Sequence, residues 1–255
     1  MVQEAMNKNI IDVFIKNISI IGTNAFFRCS YLKNVLFQEP LILTTISLCA
    51  FCQCKLLKSI LIPFSVETIN SCAFQECSNL ENVTFQEPSN LTTIGSYAFY
   101  PCELLKSISI PSSVKCINDY CFYNCSNLGN IIFEEELNLT KIGNNIFSYC
   151  INLRTIKLPS QLKEISSKSF EGCTELKSII ILSNISEIQE YAFLNCYNLE
   201  CILYYGTNNP EIIYDNSFSG CDEFSFIITY LTYSSETFES FKVQKSSELP
   251  LICHI

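Results

Sequence analysis

The 255-residue chain has no tryptophan, a single histidine, and only 7 glycines and 8 prolines. The one imidazole, His254, is the penultimate residue, a poor place to orient the base of a Ser-His-Asp or Cys-His site or to pair with Cys253. So little Gly and Pro excludes collagen-like and low-complexity chains. No Gly-rich phosphate loop or paired-aspartate calcium loop occurs. Lys and Arg number 16 against 25 Asp and Glu, a net charge of -9. That balance lacks the basic face that nucleic-acid binding needs, and it disfavours anionic lipid. No apolar run reaches the length of a membrane span; the longest, such as Ile179–Leu182, are strand-sized. The sequence therefore predicts no enzyme, no cofactor, no metal, no nucleic acid and no membrane insertion.

What the chain does have is a repeat. Phe-x-x-Cys recurs nine times, at Phe26/Cys29, Phe51/Cys54, Phe74/Cys77, Phe99/Cys102, Phe122/Cys125, Phe147/Cys150, Phe170/Cys173, Phe193/Cys196 and Phe218/Cys221. Successive Phe residues lie 23 or 25 positions apart. A period in the low twenties marks a solenoid whose units bury their apolar faces only against each other. Five residues before every Phe stands Ile, from Ile21 to Ile213. After the Cys comes Leu-x-x-Ile-x-Ile, as in Leu57, Ile60 and Ile62, with the period of two of a half-buried strand. Pro63, Pro111 and Pro159 then end the strand, because proline donates no ladder hydrogen bond. Side by side, these strands predict a curved parallel sheet along one face.

Of 16 cysteines, nine fill the column after Phe. Stacked coils place column neighbours about 4.8 Å apart, inside the Cα range of a disulfide. Yet each column Cys has two equivalent neighbours, and nine cannot pair completely, so a ladder of small buried thiols is expected. Cys49, Cys52 and Cys54 are the densest cluster, but no second Cys-x-x-Cys completes a zinc set. The longer coils carry an acidic loop after the strand, Phe37–Pro40, Phe85–Pro88 and Phe133–Glu136, which reads as a solvated rim. Asn-x-Ser/Thr sequons stand at Asn17, Asn82, Asn90, Asn124, Asn138 and Asn184; Asn82 and Asn124 fall in segments expected to be packed.

Units such as LKSISIPSSVKCINDYCFYNCSNL and LENVTFQEPSNLTTIGSYAFYPCELL resemble the BspA-like leucine-rich repeat family over residues 18–229. The resemblance implies an α/β-type, mostly β, right-handed leucine-rich solenoid of about nine coils of 23 or 25 residues. It also implies a cell-surface or secreted protein engaged in adhesion or recognition of a host or extracellular-matrix protein. The amino terminus, MVQEAMNKNIIDVFIKNIS, lacks the pattern of a signal peptide, which at face value means a cytoplasmic chain or unconventional export, and fits a fragment of a longer array equally well; a cytoplasmic chain would be an interaction scaffold with no adhesive role. Residues 1–17 read as an irregular lead-in or partial repeat, and 230–255 as a carboxy-terminal cap and tail, the cap beginning to form from 203.

The residues between the inward strand positions should face outward over the sheet. A basic file, Lys33, Lys58, Lys106, Arg154 and Lys177, runs at the strand start. Beside it lies a mixed, often apolar file: Leu36, Leu61, Thr84, Ser109, Ile132, Lys157, Ile180 and Leu203. On an acidic chain this combination offers a groove for an extended or acidic protein segment. The competing expectation is ordinary solvated charge at the strand start.

Overall fold

The computed structural model describes residues 9–135, 137–183, 185–224, 226–230, 237–238 and 241–246. They form a β-solenoid of parallel strands, as the repeat columns predict. Each coil has one strand of three to five residues on the sheet face, and all but the coil through Ile142 have a two-residue strand ending at the Ile that precedes Phe by five, as in Ser59–Ile62 and Thr68–Ile69. Among the described residues the second limb holds turns rather than helix. The lead-in contributes a strand, Asp12–Ile15, that pairs in parallel with Asn34–Phe37. At the other end, Phe241–Ser246 pairs with Phe226–Tyr230, and Thr237–Phe238 folds back antiparallel on it. Cys253 and His254 lie outside the described residues.

One apolar core runs the length of the solenoid. The nine repeat Phe rings stack in a continuous ladder, centroids 5.1 to 5.7 Å apart and planes within 30°. Each buried ring contributes about 1.5–3 kcal/mol by leaving water, and each stacked pair about 0.5–1.5 kcal/mol more. The column cysteines of the described residues form no disulfide. From Cys54 to Cys221, each thiol donates instead to the carbonyl of the Phe one coil earlier, at 3.0–3.4 Å. A small donor that fits a tight corner explains why Cys, and not Ala, recurs there.

The corner before each Cys is held by a second ladder. Asn24, Phe26 and Arg28 donate their amides to Leu48, Ala50 and Cys52 of the next coil at 2.8–3.0 Å. Turning alternate amides the same way places most residues two before and two after Phe at positive φ; Pro101, with no amide hydrogen to donate, is an exception. Cys49 (52°), Cys72 (57°), Tyr97 (58°), Tyr120 (58°) and Tyr149 (61°) all adopt it. This backbone normally favours Gly and costs an L-residue roughly 1–2 kcal/mol; here only Gly172 and Gly220 supply glycine.

Coil length controls the sheet. Across 23-residue steps the strands pair fully, Ser59–Ile62 with Asn82–Phe85 and Ser107–Ile110 with Asn130–Phe133. Across the 25-residue step from Asn82 to Ser107 only that one pair of residues remains in register. Asn34–Phe37 and Ser59–Ile62, and likewise Asn130–Phe133 and Thr155–Lys157, fall into different sheets. In each case the preceding strand ends in a half-buried Phe and an acidic loop, where shorter coils end in a buried Ile or Leu. The step from Cys201 to Phe226 is as long yet stays paired over four residues. Its extra residues wrap Tyr204, whose hydroxyl donates to the Asn208 carbonyl at 2.7 Å. Gly206 permits this, since a Cβ there would sit 2.2 Å from the ring.

Candidate protein-binding face

Strand alternation turns the Ile positions into the core and the residues between them outward, over the sheet. The result is uneven along the solenoid. Leu36, Leu61 and Ile132 are 47%, 53% and 49% exposed, large apolar side chains standing in water. Thr84 and Lys157 are also exposed, and Ser109 is half-exposed. Ile180 and Leu203, which the pattern places in the same file, are only 6% and 2% exposed. They join Cys201 in a second apolar cluster, with Leu182 and Tyr205 packed against it. Strands Ser178–Ile181 and Cys201–Tyr204 are therefore buried on both faces, and Ile180 and Leu203 are corrected from surface to core.

The basic file is exposed throughout but not uniformly free. Lys106 pairs with Glu81 at 3.2 Å and Lys177 with Glu200 at 3.9 Å, both surface contacts worth about 0–1 kcal/mol. Among the described residues Lys33, Lys58 and Arg154 make no ion pair. The carboxylates of the acidic loops are engaged locally. Glu39 accepts from the Leu41 amide at 3.0 Å, Glu87 from the Ser89 amide at 2.9 Å, and Glu134 from the Ser109 hydroxyl and Ser112 amide at 3.3 Å. Glu39 and Glu87 thus hold their own turns, while Glu134 ties its loop to the preceding coil. Asn82, expected to be packed, is exposed at the strand start, and Asn184 lies outside the described residues.

The corner around each Phe, away from the sheet, holds a feature that the column reading passes over. Tyr97 stacks on Tyr120 at 4.7 Å, Tyr100 meets Tyr123 at 5.3 Å, and Tyr123 meets Tyr149, also at 5.3 Å. The Tyr149 hydroxyl donates to Glu171 at 3.1 Å. Aligning the repeats on Phe places four of these tyrosines two before or one after it, so the signal was in the sequence. In earlier coils the same columns hold Cys49, Cys72 and Cys52. Burial, with Cys49 alongside, pushes the Cys72 thiol up to about 11 and Cys52 to about 12, which leaves little thiolate at neutral pH. Among the described residues no group of three or more His, Cys, Asp or Glu is arranged to hold a metal ion.

A solenoid of 23- and 25-residue coils with a parallel sheet on one face is the architecture of the leucine-rich repeat class. The chain belongs to one family within it: the model of the BspA type leucine rich repeat region matches six copies, over residues 5–128 and 92–225. A leucine-rich repeat protein from Bacteroides ovatus is 29% identical, with a TM-score of 0.61 over 85% of this chain. The chain spans 60% of that protein's length. A leucine rich cell surface protein from Faecalibacterium prausnitzii is 23% identical with a TM-score of 0.47, covering 93% of this chain and 83% of its own. The leucine-rich repeat protein of T. pallidum is 21% identical with a TM-score of 0.47, covering 87% and 80%. No curated protein matches. Among the described residues no helix is long and apolar enough to cross a membrane.

Proposed function

We propose that the chain is a non-enzymatic protein-binding module that uses the open part of its sheet face, from Leu36 to Ile132, in cell-surface adhesion or recognition. The observation that carries this is the row of exposed Leu36, Leu61 and Ile132 beside Lys33, Lys58 and Arg154, which make no ion pair among the described residues. Exposed apolar stripes bordered by polar groups mark interaction sites. The raised thiols and the engaged loop carboxylates support a binding role over a chemical one. Membership of the BspA-type family supports the surface location. A host or matrix protein is the partner class the family suggests.

The test has two arms. Leu36→Asp/Leu61→Asp should abolish capture of a cross-linked partner from intact cells, while Tyr100→Ser, at the corner away from the sheet, leaves it unchanged. An antibody to the chain should stain intact cells; staining only after permeabilisation would replace adhesion by an intracellular scaffold using the same face.

A further inference from the structure

Two cavities open on the sheet face, and both lie where a 25-residue step loosens the sheet. One, of about 550 Å³, lies between Asn130–Phe133 and Thr155–Lys157; the other, of about 300 Å³, lies between Asn82–Phe85 and Ser107–Ile110. The larger falls in the size range of side-chain and ligand pockets. Its apolar lining includes Ile132, Leu137, Pro159 and Leu182. Asn130, Ile132 and Glu134 line both cavities, so the exposed Ile132 is a ridge between two depressions.

Charge and backbone decide what fits. The larger cavity is lined by Glu134 and Glu135 against one cation, Lys157, and the smaller by Glu87 and Glu134 with no cation. Both therefore carry net negative charge, as does the chain at -9. Across 23-residue steps the strand starts are tied, Gly129 amide to Lys106 carbonyl at 3.0 Å and Lys177 amide to Arg154 carbonyl at 2.8 Å. Among the described residues no such bond joins Arg154 to Gly129. The seam thus offers backbone groups to the main chain of an extended segment, and an apolar well beneath it.

We infer that this seam is where an extended, cationic protein segment docks, inserting an apolar side chain beside Ile132 and setting a Lys or Arg against Glu134 and Glu135. The inference rests on the sheet face being the binding face, and it adds the position and the partner's charge. It opposes the acidic segment that the basic file alone would suggest.

The probes are capped nonapeptides on a Gly-Ser background carrying central Leu-Lys-Leu, Leu-Glu-Leu or Ser-Lys-Ser, titrated by fluorescence anisotropy. Leu-Lys-Leu should bind in preference to the other two. Ile132→Arg should weaken it about tenfold, the size of losing one anchor. Glu134→Gln/Glu135→Gln should weaken it about threefold and flatten its salt dependence. Ile132 and Glu135 are exposed, and a Gln at 134 can still accept from Ser109 and Ser112, so these variants should retain the native circular dichroism. Equal or better binding of Leu-Glu-Leu, unchanged affinity in Ile132→Arg, or binding of none of the peptides would overturn the inference. Partner capture lost in Leu36→Asp/Leu61→Asp but kept in Ile132→Arg would remove the seam and leave the binding face. Capture kept in both would remove the two together.

Discussion

The two ends of the sheet face carry the same strand pattern and present opposite surfaces. From Asn34–Phe37 to Asn130–Phe133 the outward side chains stand in water; on Ser178–Ile181 and Cys201–Tyr204 they are packed. Two physical differences separate the regions. The open one is interrupted by long coils that loosen its ladder, whereas the closed one pairs without a break from Thr155 to Tyr230. The closed one also has apolar outward residues on adjacent strands, Ile180, Cys201 and Leu203, which can cluster. In the open region Leu36 and Leu61 face each other across a seam, and Thr84 and Ser109 separate Leu61 from Ile132. Periodicity sets which residues leave the core; their neighbours decide whether they meet water.

The largest expected effect tests whether the two regions share one core. Column thiols in both are pushed up by burial: Cys125 in the open region to about 12, and Cys173 and Cys196 in the closed region well above the ordinary value near 9. The unfolded chain releases these protons near pH 9 while the folded chain keeps them, so above pH 9 the native state binds more protons. Stability should be unaffected by these groups below pH 9 and fall steeply from there toward 12, ending in unfolding. A single transition by circular dichroism is expected; two separated transitions would mean that the regions fold apart.

Substitution sharpens the contrast at single positions. Leu203→Asp buries an unpaired carboxylate and empties a packed site, so it should cost about 3–5 kcal/mol in urea unfolding. Leu61→Asp, on the equivalent outward position of an open strand, should change stability by about 0.5 kcal/mol or less. Equal costs would erase the distinction.

Much of this was legible in the chain. Nine Phe-x-x-Cys units and the invariant Ile five residues earlier fixed the coil and its core, because those side chains meet only copies of themselves. Ile180 and Leu203 were misplaced because their burial depends on the strands beside them, which a column read one coil at a time does not register. The positive φ at Tyr97 and Tyr120 gave no glycine signal, since the amide ladder and the ring stacking offset the backbone cost. The seams were visible only as a difference of two residues in period; that the same difference leaves Cys201–Tyr204 paired depends on how Tyr204 and Gly206 pack.

Cysteine accessibility tests the open and closed faces most directly. Cys201 and Ser107 hold the same outward position on a closed and an open strand, and Cys116 is an exposed internal standard. In a Ser107→Cys variant labelled natively with iodoacetamide and mapped by mass spectrometry, residue 107 should react about as fast as Cys116. Cys201 should stay unmodified until the protein unfolds. Labelling of Cys201 at the rate of residue 107 would contradict the account.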